Sequence, residues 1–304
     1  GVVGLIEGKR PASRVIALRA DMDALPIAEA NEVPYKSVNE GVMHACGHDV
    51  HTTCLLGAAR ILSGIRDELE GTIKLIFQPG EEKHPGGASL MTRDGVLENP
   101  RPDAIIGLHV QPGMEAGTLG FRSGMSMASA DEIYMTIHGE GGHAASPHLT
   151  TDIILVAAHI ICALQQVISR NKDPFTPSVL SICAINGGFT TNVIPSEVKL
   201  QGTFRAMDEA WRFRAHELIR REATAIAEAM GATVEIDIPV GYPCLLNNDE
   251  VTAKARQLAE AYMGPEHVET IAMRMGAEDF AFYSQQIPAC FYRLGVGNRA
   301  EGIE

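Results

Sequence analysis

Met43-His44-Ala45-Cys46-Gly47-His48-Asp49-Val50-His51 packs a thiol, three imidazoles and a carboxylate into nine residues. Borderline metal ions take those donors. Cys46 and His48 stand two apart; in an extended or turning backbone such residues point the same way, so both can reach one ion. Gly47 between them lets the chain bend. Read alone, the stretch also fits a free core thiol beside surface histidines, so its surroundings decide.

Continuous apolar runs flank it. Val15-Ile16-Ala17-Leu18, residues 73–77 (broken by Lys74) and Ala104-Ile105-Ile106-Gly107-Leu108 suit parallel strands covered on both faces. Leu55, Ala58, Ala59 and Leu62 recur at helical spacing and predict a helix over 51–65 with Asp49 as N-cap, and 87–93 reads as a short helix. Strands alternating with helices are the pattern of an α/β sheet with right-handed crossovers. The middle of the chain differs. Ile133, Met135 and Ile137 alternate with polar residues, as do Val198, Leu200 and Phe204, and Val234, Ile236 and Ile238. Such alternation means one buried and one wet face, as in antiparallel sheets. Helices over 152–170 and 208–230 would cover the buried face. A smaller α+β domain over 125–239 is therefore expected, inserted into an α/β domain made of 1–124 and 240–304. In that last part Asn247-Asn248-Asp249 caps a helix over 250–263, and 289–294 reads as a final core strand.

The chain has 304 residues, 45% of them hydrophobic, enough for a sizeable core and more than one domain. A net charge of −13 argues against nucleic acid and anionic membranes as partners. Six cysteines at 46, 54, 162, 183, 244 and 290 show no C-x-x-C spacing, which fits reduced, buried thiols in the cytoplasm better than a disulfide framework. No apolar run is expected to approach a membrane span, and no signal peptide opens the chain. Gly1-Val2-Val3-Gly4-Leu5-Ile6 begins in a strand pattern, Gly302-Ile303-Glu304 ends without a closing element, and no initiator Met is present. Missing residues are expected at both ends.

Further candidate ligands fall after the continuous strands: Asp21-Met22-Asp23 after the first, Glu81-Glu82 after the second, His109 after the third. Open α/β sheets bind ligands at that edge, and the Cys46/His48 loop leaves from it too. Each piece also has a plainer reading. Asp21 and Asp23 form turns before Pro26, Glu81-Glu82 is an exposed loop tip, and His109 is a core histidine. Convergence of four segments favours the metal. Adjacent glutamates diverge, so one can hold a metal while the other faces the water whose pKa that metal lowers. Asp23 or Asp49 can serve as the carboxylate that orients a ligand. In the inserted part, Gly141-Gly142-His143 and Asn192 lie in glycine-rich loops and Arg205 on the polar face of its strand. All three are donors suited to an oxyanion or a substrate carboxylate, though ordinary turns and a solvated arginine fit them as well. No Lys-Ser/Thr follows the glycines, so they are not phosphate cradles.

Together these residues resemble the M20 metallopeptidase/amidohydrolase family, in its amidohydrolase branch of hippurate hydrolases, N-acyl-amino-acid deacylases and auxin-conjugate hydrolases. The likeness rests on R-A-D-M-D-A-L-P at 19–26, H-A-C-G-H-D-V-H at 44–51, Q-P-G-E-E at 78–82 and G-L-H-V at 107–110. It extends through G-G-H-A-A at 141–145, N-V-I-P at 192–195, G-T-F-R at 202–205 and M-G-A-E-D-F at 275–280. The resemblance implies an α/β di-metal peptidase-type catalytic domain with an inserted α+β lid or dimerisation domain. It implies two divalent metal ions (Mn, Zn, Co or Ni) on Cys46, His48, Glu82 and His109, with Glu81 as general base and Asp23 as a supporting partner. His143 would act on a neighbouring subunit's site, Asn192 and Arg205 would hold substrate, and the lid would form a homodimer.

There are departures. The family carries one more metal-binding histidine just past the last core strand, whereas no histidine follows His267 here, so an incomplete site is expected. The family's helical segment before the first strand is absent, and Thr151-Asp152-Ile153-Ile154 lacks the usual Asp-Pro. The expected function is a metal-dependent amidohydrolase that removes an N-acyl group from a small-molecule N-acyl-amino acid by metal-activated water. The alternatives are a dipeptidase or carboxypeptidase on the same scaffold, a catalytically inactive binding protein, and a cysteine hydrolase using Cys46.

Overall fold

The computed structural model describes residues 1–302, so Ile303 and Glu304 of the closing stretch lie outside the described residues. The chain divides into two compact units. One comprises Gly1–Ser126, Leu245–Met273 and Glu278–Glu304; the other comprises Met127–Cys244 and Arg274–Ala277.

The first unit is built on a seven-stranded mixed sheet. Its first strands are β1 (Val2–Glu7), β2 (Val15–Asp21), β3 (Thr72–Gln78), β4 (Ala104–Glu115) and β5 (Leu119–Phe121). With β14 (Val268–Thr270) and β15 (Ala289–Gly297) they run in the order β1-β3-β2-β4-β15-β5-β14. The centre, β3-β2-β4-β15, is parallel as expected, while β1 pairs antiparallel with β3. Lys74, which interrupts the apolar run of β3, is buried, and its ammonium donates to the carbonyls of Glu98 and Pro100. Helices α1 (His48–Gly64), α2 (Gly87–Arg93), α5 (Asp249–Met263) and α6 (Ala281–Ser284) accompany the sheet, with a ribbon of β6 (Gly124–Met127) and β13 (Leu245–Asn247). Asn248 caps α5 by accepting from the Val251 amide.

Three expectations change here. Helix α1 begins at His48, and its N-cap is Gly47, at φ 84°, rather than Asp49. Asp49 sits in the first turn, where a carboxylate still favours the positive end of the helix dipole. Strand β4 runs well past Leu108, so His109 lies inside it; only the neighbouring β2 ends nearby, with Arg19 opposite Gly107. Asp21 is the buried last residue of β2, not a turn former.

In the second unit, β7 (Asp131–His138), β9 (Ser178–Asn186), β11 (Glu197–Ala206) and β12 (Thr233–Asp237) form an antiparallel sheet in the order β12-β7-β11-β9. A ribbon pairs β8 (Gly142–His143) with β10 (Val193–Ile194). Helices α3 (Ile153–Asn171) and α4 (Glu209–Ala229) cover one sheet face, where Ile133, Met135, Ile137, Val198, Leu200 and Phe204 meet Val156, Ile160, Leu164 and Ile219. The caps are Asp152, accepting from the Leu155 amide, and Asp208, accepting from the Trp211 amide. Strand β9 carries no alternating pattern in the sequence because, at the sheet's edge, only Leu180 along it is buried.

Helix α3 is long and apolar enough to cross a membrane by length and composition, against the expectation that no such run exists. One of its faces packs into the core, and the opposite face still exposes Ile154 and Leu155. A core-facing helix with extra apolar surface meets the same criterion. The thiols also differ from expectation. None of the six cysteines forms a disulfide among the described residues, but only Cys244 and Cys290 are buried, and Cys162 and Cys183 are exposed.

Candidate metal centre

In the first unit the ends of β2 and β3, the start of α1 and the middle of β4 bring the expected donors together. Cys46, His48 and His109 present donor atoms within 4.8 Å of one another, and so do His48, Glu81 and Glu82. Cys46 Sγ lies 3.4 Å from His109 Nε2. His48 Nε2 lies 3.9 Å from Glu82 Oε1. Glu81 is buried and Glu82 exposed, so the adjacent pair does diverge. Asp23 ties two donors to one another: His48 Nδ1 donates to its Oδ1 at 3.1 Å, and the Glu82 amide donates to its Oδ2 at 3.0 Å. Asp49 is exposed and plays no such part.

Hydrogen bonds fix which imidazole nitrogens are available. His109 Nδ1 meets the Val110 carbonyl at 2.7 Å, a pure acceptor, so its proton sits on Nδ1 and Nε2 keeps a lone pair. His48 Nδ1 is likewise engaged by Asp23, and among the described residues its buried Nε2 has no hydrogen-bond partner. An orphaned buried nitrogen is costly, and a cation removes that cost. Thiolate, imidazole and carboxylate together suit a divalent ion.

Electrostatics agree. Burial disfavours charge on His48, yet the bond to Asp23, the Cys46 contact and the Asp21 carboxylate raise its pKa to about 11. The same groups favour any cation at Nε2. Burial and the Arg293 charge hold His109 down to about 3, keeping it neutral. Burial, then the carboxylates of Glu278 and Asp279, push Glu81 up to about 9. Asp21 is buried, which would raise its pKa, but Arg19 and the bond from His51 hold it well below the usual carboxylate range.

Several residues here carried no assignment from the sequence. Arg19 donates to Asp21, Gln78 and Asp279 at 2.8–2.9 Å, and Gln78 donates to Asp279. Asp279 and Glu278 arrive from a segment some 260 positions away, which no local pattern reveals. Charged residues inside an apolar strand (Arg19) and in M-G-A-E-D-F were the available signals.

The second unit holds the remaining candidates. His143 and Asn192 come together: Val193 pairs with His143, and the Ala144 amide donates to the Asn192 carbonyl at 2.9 Å. His143 Nδ1 accepts from the Ala145 amide, so its exposed ring carries the proton on Nε2. A groove of about 710 Å³ opens beside them, lined by Gly142, Phe189 and Ile194 among others. Arg205 is not with them. It lies eight residues along β11 from Glu197, the end adjoining this loop pair, or roughly 25 Å at strand rise.

A parallel-centred α/β sheet whose strands and loops bring sulfur, imidazole and carboxylate donors together defines a candidate divalent-metal site. Comparison with known proteins gives the family. Residues 17–304 match the model of Peptidase family M20/M25/M40. "Thermostable carboxypeptidase 2" of Saccharolobus solfataricus is 39% identical over 99% of this chain and 76% of its own length. "N-acyl-L-amino acid amidohydrolase" of Geobacillus stearothermophilus is 44% identical over 82% of this chain and 66% of its own. The crystal structure of a dinuclear metal-binding M20 peptidase from Bacillus subtilis superposes with a TM-score of 0.80 at 35% identity, covering 96% of this chain and 75% of that one. The chain belongs to Peptidase family M20/M25/M40.

Proposed function

We propose that this enzyme removes the acyl group from N-acyl-amino acids, with Cys46, His48, Glu82 and His109 holding two divalent ions and Glu81 as general base. The observation that carries the reading is the convergence of Cys46, His109 and Glu82 on His48, whose buried Nε2 has no hydrogen-bond partner among the described residues. Bound divalent ions supply Lewis acidity, lowering the pKa of water and polarising a carbonyl. Glu81 takes a proton from the attacking water as the C–O bond forms, and returns it to the amide nitrogen as the C–N bond breaks. Its surroundings raise its proton affinity, which suits the return of the proton to the leaving nitrogen; the charge of bound divalent ions would lower that affinity for the first transfer. His143, with its Nε2 proton facing outward, is assigned to the oxyanion, and Asn192 and Arg205 to the substrate carboxylate.

Separation along β11 supports a homodimer. A small substrate cannot reach both His143 and Arg205 of one copy across roughly 25 Å, so the two would come from different copies. The edge strand β9 and the exposed Ile154 and Leu155 of α3 offer the surface for pairing. Cysteines in the thiol form and the net charge of −13 suit the cytoplasm. Mn, Zn, Co and Ni all match the donors.

Glu81→Gln tests the mechanism. It should lower kcat on an N-acetyl-amino acid by at least ~100-fold while metal content holds; undiminished turnover sinks the assignment. Carboxypeptidase relatives keep peptide cleavage as the second reading. Turnover of dipeptides above that of N-acetyl-amino acids would favour it.

A further inference from the structure

His51 takes no part in the donor set above, yet it is fully buried beside it. It shares the first turn of α1 with His48, three residues on, so both face the same way. Its Nδ1 meets Asp21 Oδ1, and Asp21 Oδ2 is held by Arg19 at 2.9 Å. Its Nε2 accepts the Val110 amide proton at 2.9 Å. A backbone N–H can only donate, so Nε2 carries the lone pair and the ring proton points at Asp21. His51 is thereby barred from offering Nε2 to an ion.

Val110 is the residue so held, and it touches the donor set twice. Its carbonyl accepts from His109 Nδ1, which aims His109 Nε2 at Cys46. Its side chain packs on Gly47, where an added Cβ would stand 2.4 Å from Val110 Cγ2. Gly47 separates Cys46 from His48. Val110 therefore sets the register between the β4 donor and the two donors of the loop.

We propose that His51, oriented by Asp21 and Arg19, is a positioning residue of the metal centre: by gripping the Val110 amide it aligns His109 with Cys46 and His48. This rests on the metal-site reading above. Asp23 does the corresponding service for His48 and Glu82, so the centre has two clamps.

Two substitutions separate the bonds. His51→Gln keeps an acceptor near the Nε2 position and so the Val110 bond; His51→Asn keeps a donor toward Asp21 and loses it. In the full-length protein titrated with Co²⁺, His51→Asn should weaken binding 10–100-fold, the usual loss on removing a partner that orients a ligand, while His51→Gln stays within about threefold of the original. Long-range ¹H–¹⁵N spectra of the metal-free protein should show His51 and His109 each protonated on Nδ1 alone. Circular dichroism checks folding, and if His51→Asn does not fold, the tautomers decide. Undiminished Co²⁺ affinity in a folded His51→Asn protein, or a proton on His51 Nε2, overturns the proposal and leaves the metal site standing. Failure of the unsubstituted protein to bind Co²⁺ overturns the metal site and the proposal together.

Discussion

Asp131→Asn probes what holds the second unit's sheet to helix α4. Asp131 opens β7 with 1% of its surface exposed. It accepts from Arg212 through both oxygens, from His216 Nε2 at 2.9 Å and from the Gly241 amide at 2.9 Å. Burial works against its charge, but the Arg212 and His216 bonds prevail and bring its pKa from 3.8 down to about 2. That difference corresponds to about 2 kcal/mol of stabilisation at neutral pH. Breaking a buried pair from one side costs ~3–5 kcal/mol when no counter-charge remains, and Glu209, 3.0 Å from Arg212, holds the cost to the lower end. Asparagine keeps one acceptor oxygen, so the expected loss is about 3 kcal/mol, between these bounds.

The chain's single tryptophan, Trp211, precedes Arg212 on α4 and donates to Ser178, so its fluorescence reports this unit. At a urea dependence of ~1–3 kcal/mol/M, the midpoint should fall by roughly 1–3 M. Because the folded pKa lies below the unfolded one, the carboxylate's contribution is complete above about pH 4 and fades as pH drops through about 2. The gap between the original and the variant should hold from pH 5 to 8 and close in acid. An unfolding free energy unchanged at pH 7 to within ~0.5 kcal/mol, or a gap that widens on acidification, refutes the reasoning.

Two further outcomes bear on the metal centre. Gly47→Ala places a side chain at φ 84° and against Val110, costing about 1–2 kcal/mol for the left-handed backbone alone; metal content should fall more than thermal stability, as read by metal analysis beside a melting curve. Chelation should abolish hydrolysis and added Mn²⁺ or Zn²⁺ restore it if Cys46, 3.4 Å from His109 Nε2, is the ligand proposed above rather than a nucleophile; chelator-resistant turnover would revive a cysteine hydrolase.

Much of this molecule was written in short stretches of sequence. Continuous apolar runs marked β2, β3 and β4, alternation marked β7, β11 and β12, and Asp152, Asp208 and Asn248 marked three helix starts. These signals depend on neighbours a few residues apart, so the chain states them locally. Cys46, His48, Glu82 and His109 were legible as donors because their side chains declare their chemistry wherever they stand. Tertiary structure alone decided that Asp21 is a buried partner of Arg19 and His51 rather than a turn former, that Gly47 rather than Asp49 starts α1, and that His109 lies within β4. It also decided that Arg205 stands far from His143 along β11. Each of those facts depends on strand register and crossovers between distant segments, and on which buried charge meets which partner. Such pairings are fixed by burial once the sheet has formed, not by any window of sequence.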